Sequence, residues 1–376
     1  MKIRVERDGF ADAVAWAARI LPQKATLPVL AGLRIDVDTA GGLELSGFDY
    51  EVSAQASVDA TVAEAGSVLV PGRLLADITR SLPPQPIDLT TDGSRVVLAC
   101  GSSRFTLPTL PLEEYPGLPE LPAVAGTLGS DAFAAAVSAV AVAAGRDEAL
   151  PVLTGVRVEI DGEQVTLAAT DRYRLAVRTL RWSPVDPGLQ ANALVPARTL
   201  AEAAKSLTAG AEITLSLSNS GGPGEGLIGL SGAARSTTSR LLDGEFPKYR
   251  SLLPDSSTAT ASVDSAALTE AVRRVALVAS RTSPVRLSFE TGAVTLEAGG
   301  LDEAQAQESV PAEFEGEPLT IAFNPGYLLD GLGSLDSDEA ALAFTGPTKP
   351  AVLTGKPGAD GGTDHRYLLM PVRLAT

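Results

Sequence analysis

The sequence has little of the chemistry on which most enzymes and metal sites depend. It contains one cysteine, Cys100, and one histidine, His365, among 376 residues. A single cysteine excludes an intramolecular disulfide framework and a cysteine-based zinc cluster, and it suits a reducing compartment. A single histidine argues against His-rich metal sites and against Ser–His–Asp or Cys–His nucleophiles. We therefore expect no cofactor, no metal site and no catalytic residue.

Long apolar segments are also lacking. The longest uncharged, largely apolar run, 132–145, is too short to cross a bilayer, and the first residues, MKIRVERDGF, lack the apolar core of a secretory signal. We therefore expect no membrane partner and a cytoplasmic location. Acidic residues outnumber basic ones, 46 to 30, which excludes a uniformly basic nucleic-acid binder but leaves room for one local basic face.

Three parts of the sequence resemble one another. VPGRLLADITRSL at 70–82 resembles VPARTLAEAAKSL at 195–207, and a fainter copy, NPGYLLDGLGSL, occupies 324–335. LPVLAGLRIDVD at 27–38 recurs as LPVLTGVRVEID at 150–161. Because the markers keep their order at a period of roughly 125 residues, they indicate tandem domains and not a solenoid. We place three domains at 1–120, 127–254 and 260–376, with a linker rich in Pro, Gly and Leu at 116–126 and a second linker at 254–260.

The same elements are expected in each copy. A first helix is predicted at 10–20, 130–144 and 264–280, with N-caps at Asp8, Ser130 and Asp264. A second helix is predicted to start at the proline of the VP or NP marker. Alternating apolar residues predict strands at 33–37, 156–160, 165–169 and 174–178. Each domain is therefore predicted to be an α+β unit of two helices and about eight antiparallel strands.

The second helix carries paired basic residues in two of the copies. Arg73 and Arg80 are seven residues apart, and Arg198 and Lys205 repeat that spacing at the matching positions. The third copy places uncharged residues there, Tyr327 and Ser334. The opposite, buried face is predicted to hold Leu74, Leu75, Ile78 and Leu82 in the first copy and Leu200, Ala203, Ala204 and Leu207 in the second. Such helices side by side would form a basic wall that suits a phosphate backbone, without base-specific readout.

Other motifs do not support catalysis. The segment 346–356 lacks P-loop spacing, and the Gly-rich segment 221–226 is predicted to be a hairpin loop. Asp171 could be imagined as a general base, but Asp49 matches it in the first copy. We therefore predict a structural turn at both aspartates.

Four segments are specific enough to indicate a family. They are TLPVL at 26–30, ATDRYRLAV at 169–177, FPKYR at 246–250 and YLLMPVRL at 367–374. Together they resemble the bacterial DNA polymerase III beta subunit, the sliding clamp, over essentially the whole chain, with an actinobacterial character. The resemblance implies a head-to-tail homodimer whose six domains close a ring with helices lining the hole.

The resemblance also implies a function without catalysis. The ring would encircle duplex DNA, slide along it near the nucleoid and tether the replicative polymerase, which rebinds before it escapes. The implied partners are the DNA polymerase III alpha subunit, the clamp loader, and other polymerases and repair proteins. The resemblance implies four DNA-facing residues, Lys24, Arg73, Arg146 and Arg198. The helical spacing alone adds Arg80 and Lys205.

Partner proteins of this family dock a short motif with Leu and Phe anchors into a pocket between the second and third domains. The residues that match this pocket are Leu153, Thr170, Arg172, Tyr173, Arg174, Leu175, Pro247, Leu252, Thr348, Pro350, Leu368, Leu369, Met370, Pro371, Val372, Arg373 and Leu374. An apolar slot with an adaptable methionine and a few arginines suits such a peptide.

The sequence departs from the family pattern at this pocket. Many members carry Gly-His in place of Arg172-Tyr173, and often Arg in place of Ser251, so the preferred motif does not transfer. Subunit contacts are implied between the edge of the first domain and the first helix of the third domain, at Arg104, Phe105 and Leu107 and at Leu277 and Val278.

Three alternatives remain open on the sequence. The chain could be a specialised duplicate clamp with an altered pocket, for example one that protects against an inhibitor. It could be a three-domain enzyme, which would need a cluster of titratable groups in one cleft. It could also be an oligomeric scaffold that does not bind DNA.

Overall fold

The computed structural model of the chain describes residues 1–24, 27–218, 226–279, 283–300, 304–356 and 364–373. The N-terminal third contains β1 (Lys2–Val5), α1 (Arg7–Ala18), β2 (Gly32–Val37), β3 (Gly42–Phe48), β4 (Val52–Glu64), β5 (Gly66–Pro71), α2 (Gly72–Ser81), β6 (Ile87–Asp92), β7 (Arg95–Cys100) and β8 (Ser103–Pro108).

The remaining elements follow the same plan. The middle third contains β9 (Val124–Gly129), α3 (Ser130–Ala141), β10 (Gly155–Asp161), β11 (Gln164–Thr170), β12 (Arg174–Arg181), β13 (Ser183–Pro184), β14 (Gln190–Pro196), α4 (Ala197–Ser206), β15 (Glu212–Leu217), β16 (Leu227–Gly232) and β17 (Arg235–Arg240). The C-terminal third contains β18 (Ala259–Asp264), α5 (Ser265–Val275), β19 (Val285–Glu290), β20 (Gly292–Ala298), β21 (Ala306–Glu315), β22 (Leu319–Phe323), α6 (Pro325–Gly333), β23 (Glu339–Phe344), β24 (Ala351–Gly355) and β25 (Asp364–Leu369). Short 3-10 turns lie at Pro28–Ala31, Leu112–Glu114, Pro151–Thr154, Tyr249–Leu252 and Ala276–Val278.

The predicted α+β repeat is confirmed. Each third of the described chain holds two α-helices and eight or nine strands, and the strands pair antiparallel. The LPVL marker forms a 3-10 turn followed by a strand in both of its copies, at 28–37 and 151–161. The four strands predicted from alternation are present, each slightly longer than expected. The hairpin loop predicted at 221–226 lies almost wholly outside the described residues.

The helix starts differ in part from the prediction. Asp264 caps α5 as expected, because its side chain accepts a 2.7 Å hydrogen bond from the backbone N–H of Ala267. Asp8 is not a cap, because α1 begins at Arg7 and Asp8 is the second residue of the helix. Ser130 is the first residue of α3, and its hydroxyl donates to the carbonyl of Gly210 instead of capping.

The prolines of the VP marker end strands and do not start helices. Pro71 pairs with Gly32 at the end of β5, and Pro196 pairs with Gly155 at the end of β14, so α2 and α4 begin one residue later. In the third copy Asn324 caps α6, and the helix begins at its proline, as predicted.

This difference shifts the third copy by one residue relative to the sequence alignment. Gly326 and Gly333, not Tyr327 and Ser334, stand where the first copy has Arg73 and Arg80. The third copy therefore still lacks the basic pair.

The buried faces of the second helices are largely as predicted. The four apolar residues of the second copy are buried, as are Leu75, Ile78 and Leu82 in the first. Leu74 is an exception, because 48% of its surface is exposed. One turn of α2 thus presents an apolar side chain beside Arg73.

Residues 1–130 and 202–241 form one compact unit. The strand order is β9-β15-β16-β17-β4-β1-β6-β7-β8, and β2 pairs with β3 and β5 beside this path. The strand β4 is the longest, and it pairs with β17 through its first residues and with β1 through its last. The helix α1 covers this sheet with Phe10, Val14 and Trp16, whose indole N–H donates to the Gln55 carbonyl at 3.0 Å.

Residues 131–201 and 242–376 form the second unit. Its strands follow the order β14-β10-β11-β12-β25-β24-β23-β18-β21-β20-β19-β22. Residues 174–179 of β12 pair with residues 364–369 of β25, near the end of the chain.

The two units cut across the predicted central domain. Strands of this domain pair with strands of both neighbouring domains, β17 with β4 in the first unit and β12 with β25 in the second. The domain bounds 1–120, 127–254 and 260–376 thus stay a prediction. Within the described ranges, no helix combines the length and apolar character that a membrane span requires.

The N-cap difference predicts a stability difference between two aspartates. Asp264→Ala removes a capping hydrogen bond and should lower the free energy of unfolding by about 1 kcal/mol. Asp8→Ala removes an exposed first-turn charge and should cost less than about 0.5 kcal/mol. Urea unfolding of both variants checks this, and equal losses would contradict the assigned caps.

Candidate functional site

A tight turn between β11 and β12 builds the site. The Asp171 carboxylate accepts hydrogen bonds from the backbone N–H groups of Tyr173, at 3.0 Å, and Arg174, at 3.1 Å. The hydroxyl of Thr170 closes the turn by donating to the Arg174 carbonyl at 2.7 Å. Thr170 is buried, so its polar group is used inside the protein and supports the turn.

The first copy contains the same turn. Asp49 accepts hydrogen bonds from the backbone N–H groups of Glu51 and Val52, at 3.0 and 2.7 Å. The predicted turn role of both aspartates is confirmed. The residue after each aspartate takes a left-handed backbone conformation, with φ of 76° at Tyr50 and 79° at Arg172. A non-glycine residue in this left-handed conformation costs roughly 1 kcal/mol of free energy relative to the right-handed one.

The turn directs one arginine into the protein. Arg174 is 6% exposed, and its Nε donates to Asp171 Oδ2 at 3.0 Å. Its Nη1 donates to the carboxylate of Asp330 on α6 and, at 3.3 Å, to the hydroxyl of Tyr367 on β25. Burial alone would lower the pKa of Arg174, but Tyr367, Asp330 and Asp171 together raise it, so the guanidinium stays charged.

Two tyrosines complete this buried network. The Arg174 guanidinium lies 4.4 Å from the ring centroid of Tyr327, a cation–π contact. The Tyr367 hydroxyl donates to the Tyr327 carbonyl at 2.9 Å, and burial raises the pKa of Tyr367. Gly331 allows the Tyr367 ring to approach α6, since a Cβ there would lie 2.7 Å from two ring carbons.

Above the network lies a cavity of about 410 Å³. Tyr173 forms part of its wall by stacking on Tyr327, with ring centroids 6.2 Å apart. The predicted pocket residues in its lining are Leu153, Arg172, Tyr173 and Arg174. The lining also contains Arg146, which is predicted from the sequence to face DNA. That role stays a prediction, but Arg146 and the pocket residues meet in one place.

Other predicted pocket residues form an apolar layer next to this turn. Leu175 and Leu368 are buried in one cluster with Phe246, Tyr249 and Val352. The backbone N–H of Met370 donates to the Tyr173 carbonyl at 2.9 Å, which ties the residues after β25 to the turn.

The outer pocket residues differ in exposure. Leu252, Met370 and Val372 are exposed apolar side chains, at 51%, 40% and 37%. The other exposed or half-buried members are Pro247, Thr348, Pro350, Pro371 and Arg373. Leu369 is buried, and Leu374 lies outside the described residues.

The contribution of α6 to the cavity was not predicted from the sequence. Asn324, Gly326, Tyr327 and Asp330 line the cavity, and Tyr327 and Asp330 contact Arg174. One signal was available, because the third copy of the helix lacks the basic pair and carries an aromatic residue, Tyr327, in its first turn.

The predicted DNA-facing residues are all exposed: Lys24, Arg73, Arg80, Arg146, Arg198 and Lys205. Arg73 also donates to the Leu21 carbonyl at 2.5 Å, which holds its side chain near the loop that follows α1. Their role in DNA contact stays a prediction.

The predicted subunit contacts are only partly accessible. Phe105 and Arg104 are exposed on β8, which lies at the end of its sheet. Leu107 is 1% exposed and offers no side-chain surface to a partner. Leu277 and Val278 lie in a 3-10 turn after α5 and not in the helix itself.

The two copies of the turn provide a matched test of the buried network. Asp171→Asn keeps the acceptor for the backbone but removes the charge that faces Arg174, and should lower the free energy of unfolding by about 2 kcal/mol. Asp49→Asn changes the same turn where position 52 is valine, and should cost less than about 0.5 kcal/mol. Chemical denaturation measures both values. Similar losses would mean that the ion pair contributes nothing beyond the turn.

Three consecutive parts of the chain match known protein-family models. They are the N-terminal, central and C-terminal domains of the DNA polymerase III beta subunit, at residues 1–119, 127–248 and 250–373. The chain is 58% identical to the beta sliding clamp of Streptomyces coelicolor, with 100% of both chains covered. It is 46% identical to the beta sliding clamp homolog GriR of Streptomyces muensis, again with 100% of both covered.

Solved structures that resemble the chain are also sliding clamps. A sliding clamp from Pseudomonas aeruginosa bound to griselimycin has a TM-score of 0.91 and 28% identity, with 100% of both chains covered. The sliding clamp of Bacillus subtilis shares the fold with a TM-score of 0.91 at 24% identity, and 100% of both chains is covered. The predicted resemblance is therefore confirmed, and the chain belongs to the DNA polymerase III beta subunit family, the beta sliding clamps.

Proposed function

We propose that two copies of this chain join head to tail in a ring that encircles duplex DNA and tethers the replicative polymerase. The observation that carries this proposal is the pair of exposed cations on α2 and again on α4. The chain as a whole carries a formal charge of −16, so these helices are local exceptions. Family membership supports the same function, without catalytic residues, and a location at the nucleoid. The three domains are then those at 1–120, 127–254 and 260–376.

The charges suit sliding better than tight binding. Phosphate contacts by lysine and arginine are independent of sequence and weaken as salt rises. A few surface cations on a wide wall would hold the duplex loosely, while the acidic remainder repels it from other surfaces. Retention on DNA would come from the closed ring, and processivity from the high effective concentration of the tethered polymerase.

The exposed apolar residues support a subunit interface. Leu277 is 83% exposed, and Phe105 is exposed on the end strand β8, which has backbone groups available for pairing. Large apolar side chains in such positions usually mark an interaction surface. We place the head-to-tail contact between Arg104 and Phe105 of one copy and Leu277 and Val278 of the other.

The cavity and the apolar layer beside it support a docking site for partner proteins. The exposed Leu252, Met370 and Val372 provide apolar surface for Leu and Phe anchors of a short peptide. The clamp loader, the polymerase alpha subunit and other polymerases and repair proteins would share this site.

A second candidate is a specialised duplicate of the clamp. It is favoured by the 46% identity to GriR and by the similarity to a clamp bound to griselimycin. The presence of a second clamp gene in the same genome, together with weaker griselimycin binding by this chain, would support it.

The DNA-retention experiment tests the ring. We expect the protein, loaded by a clamp loader with ATP onto nicked circular DNA, to be retained and then lost when a single cut makes the circle linear. Retention after the cut would contradict the topological mechanism, and a clamp of established function controls for the loader.

The basic pairs can be tested in the same assay. The double variant Arg73→Glu/Arg198→Glu should load at least about tenfold less efficiently at low salt, because two favourable phosphate contacts become repulsive. The control Arg95→Glu/Arg181→Glu makes the same charge change at exposed positions outside the second helices. Equal loss in both variants would mean that net charge, and not the helix face, controls loading.

The interface predicts an effect on oligomeric state. Leu277→Asp should convert the dimer to a monomer at micromolar concentration in analytical ultracentrifugation, since it places a charge in an apolar contact. Val185→Asp changes another highly exposed apolar residue, 69% exposed, and should leave the dimer intact. A dimeric Leu277→Asp variant would move the interface elsewhere.

A further inference from the structure

Glu159 on β10 joins the sheet of the second copy to a neighbouring loop. Its side chain is 15% exposed, and its Oε1 accepts a 2.6 Å hydrogen bond from Nε of Arg157 on the same strand. Its Oε2 accepts a hydrogen bond from the hydroxyl of Tyr249 at 2.7 Å and another from the guanidinium of Arg250. One carboxylate oxygen is therefore bound to the sheet, and the other is bound to the segment 249–252.

The protonation states make this a strong contact. Burial alone would raise the pKa of Glu159, but the hydrogen bonds from Tyr249, Arg250 and Arg157 together lower it, so the carboxylate is charged at neutral pH. Burial and the bond to Glu159 raise the pKa of Tyr249 to about 12, so its hydroxyl keeps the proton that it donates. Hydrogen bonds to an ionised acceptor are shorter and stronger than those between neutral groups.

The segment 249–252 needs this contact because packing fixes one side of it and a cavity lies on the other. The ring of Tyr249 is 3% exposed and packs against Phe246, with ring centroids 6.1 Å apart. On the other side, a cavity of about 340 Å³ is lined by Glu159, Tyr249, Arg250 and Leu253. The packed ring holds the base of the tyrosine, whereas the hydrogen bonds to Glu159 hold its hydroxyl and the residue that follows it.

The position of Leu252 follows from that of Tyr249. Both residues belong to one 3-10 turn, Tyr249–Leu252, in which they are three residues apart. Residues at this spacing lie on the same face of a 3-10 helix, so a shift of one moves the other. Leu252 is 51% exposed and is one of the apolar residues proposed above to receive the Leu and Phe anchors of a partner peptide.

We propose that Glu159 is a positioning residue for partner docking, which holds Leu252 in place through Tyr249 and Arg250. This inference rests on the proposed docking of partner peptides. Glu159 acts through the loop, because its carboxylate is enclosed by Arg157, Tyr249 and Arg250. A loop that occupies its docking position for part of the time weakens binding in proportion to that fraction. If the fraction falls to about one fifth when the contact is lost, the apparent Kd rises about fivefold.

The first copy contains a similar ion pair that serves the sheet. Asp36 stands at the repeat position of Glu159, and it accepts hydrogen bonds from Arg34, at 2.7 and 2.9 Å, and from the hydroxyl of Ser67. Both donors lie on strands, Arg34 on β2 and Ser67 on β5. Asp36→Asn therefore weakens an ion pair of the same kind without touching the segment 249–252, which makes it a matched control.

Peptide binding to the full-length protein tests this role. A fluorescein-labelled nine-residue peptide with adjacent Leu and Phe anchors is titrated with protein, and its fluorescence anisotropy is measured. We expect Glu159→Gln to raise Kd about fivefold. Tyr249→Phe removes the hydroxyl and keeps the buried ring, and should raise Kd about two- to threefold. Asp36→Asn should stay within about twofold of the native Kd, because it lies far from the loop in the fold.

A double-mutant cycle with Leu252 distinguishes positioning from a general loss of stability. In the Leu252→Ala protein, the further substitution Glu159→Gln should change Kd by less than about twofold, because the side chain that Glu159 positions is absent. An undiminished effect of Glu159→Gln in that background would overturn the assigned role. Equal weakening by Glu159→Gln and Asp36→Asn would also overturn it, since a destabilised fold would then explain both.

Two outcomes separate this inference from the docking proposal. If the peptide with Leu and Phe anchors binds the native protein no more tightly than the same peptide with Ala anchors, the docking surface itself is wrong, and the role of Glu159 falls with it. If the native protein prefers the Leu and Phe peptide, but Glu159→Gln and Tyr249→Phe both leave Kd unchanged, docking stands and the positioning role is wrong.

Discussion

The cavity lined by the β11–β12 turn and α6 depends on one buried charge, the guanidinium of Arg174. It donates hydrogen bonds to Asp171 beside it in sequence, to Asp330 on α6 and to Tyr367 on β25. Removing a charge from water is costly unless its donors are satisfied, so this arginine fixes the relative positions of three distant segments. The cavity wall made by Tyr173 and Tyr327 follows from that arrangement, because both rings lie on segments that Arg174 holds.

The same local turn occurs in both copies, but only the second turn carries a buried charge. In the first copy Asp49 closes the turn, and position 52 is an apolar residue within the strand. In the second copy the equivalent position is Arg174, so the turn carries a charge that the rest of the fold must neutralise. The acid that pairs with it on α6, Asp330, is 156 residues away in sequence. The two copies thus share the turn, and the residue at one repeat position, valine or arginine, decides whether the turn joins a buried ionic network.

The distance in sequence between Arg174 and Asp330 explains which parts of the site could be predicted from the sequence. The strands and helices follow from local patterns, and the repeat and its turn aspartates follow from comparing such short segments along the chain. The roles of Tyr327 and Asp330 depend on a contact between distant strands and a helix, which no local pattern contains. The predicted N-caps at Asp8 and Ser130 are wrong for a related reason, since strand pairing up to Val5 and Gly129 sets where α1 and α3 begin. The exposure of Leu74 likewise depends on how α2 packs, not on its spacing.

The distribution of buried and exposed charges separates permanent from transient contacts. Arg174 is buried and fully engaged, so its interactions persist and define the shape of the site. The cations of α2 and α4 lie on the surface, where each contact to a phosphate would contribute little and exchange quickly. A clamp needs both kinds, because its partners must rebind in one fixed geometry while the DNA moves freely. On the proposed function, a cation that bound phosphate tightly would slow sliding, whereas a loosely held Arg174 would leave the cavity without one fixed geometry. Burial thus distinguishes Arg174, which shapes the cavity, from the surface cations that are proposed to face DNA.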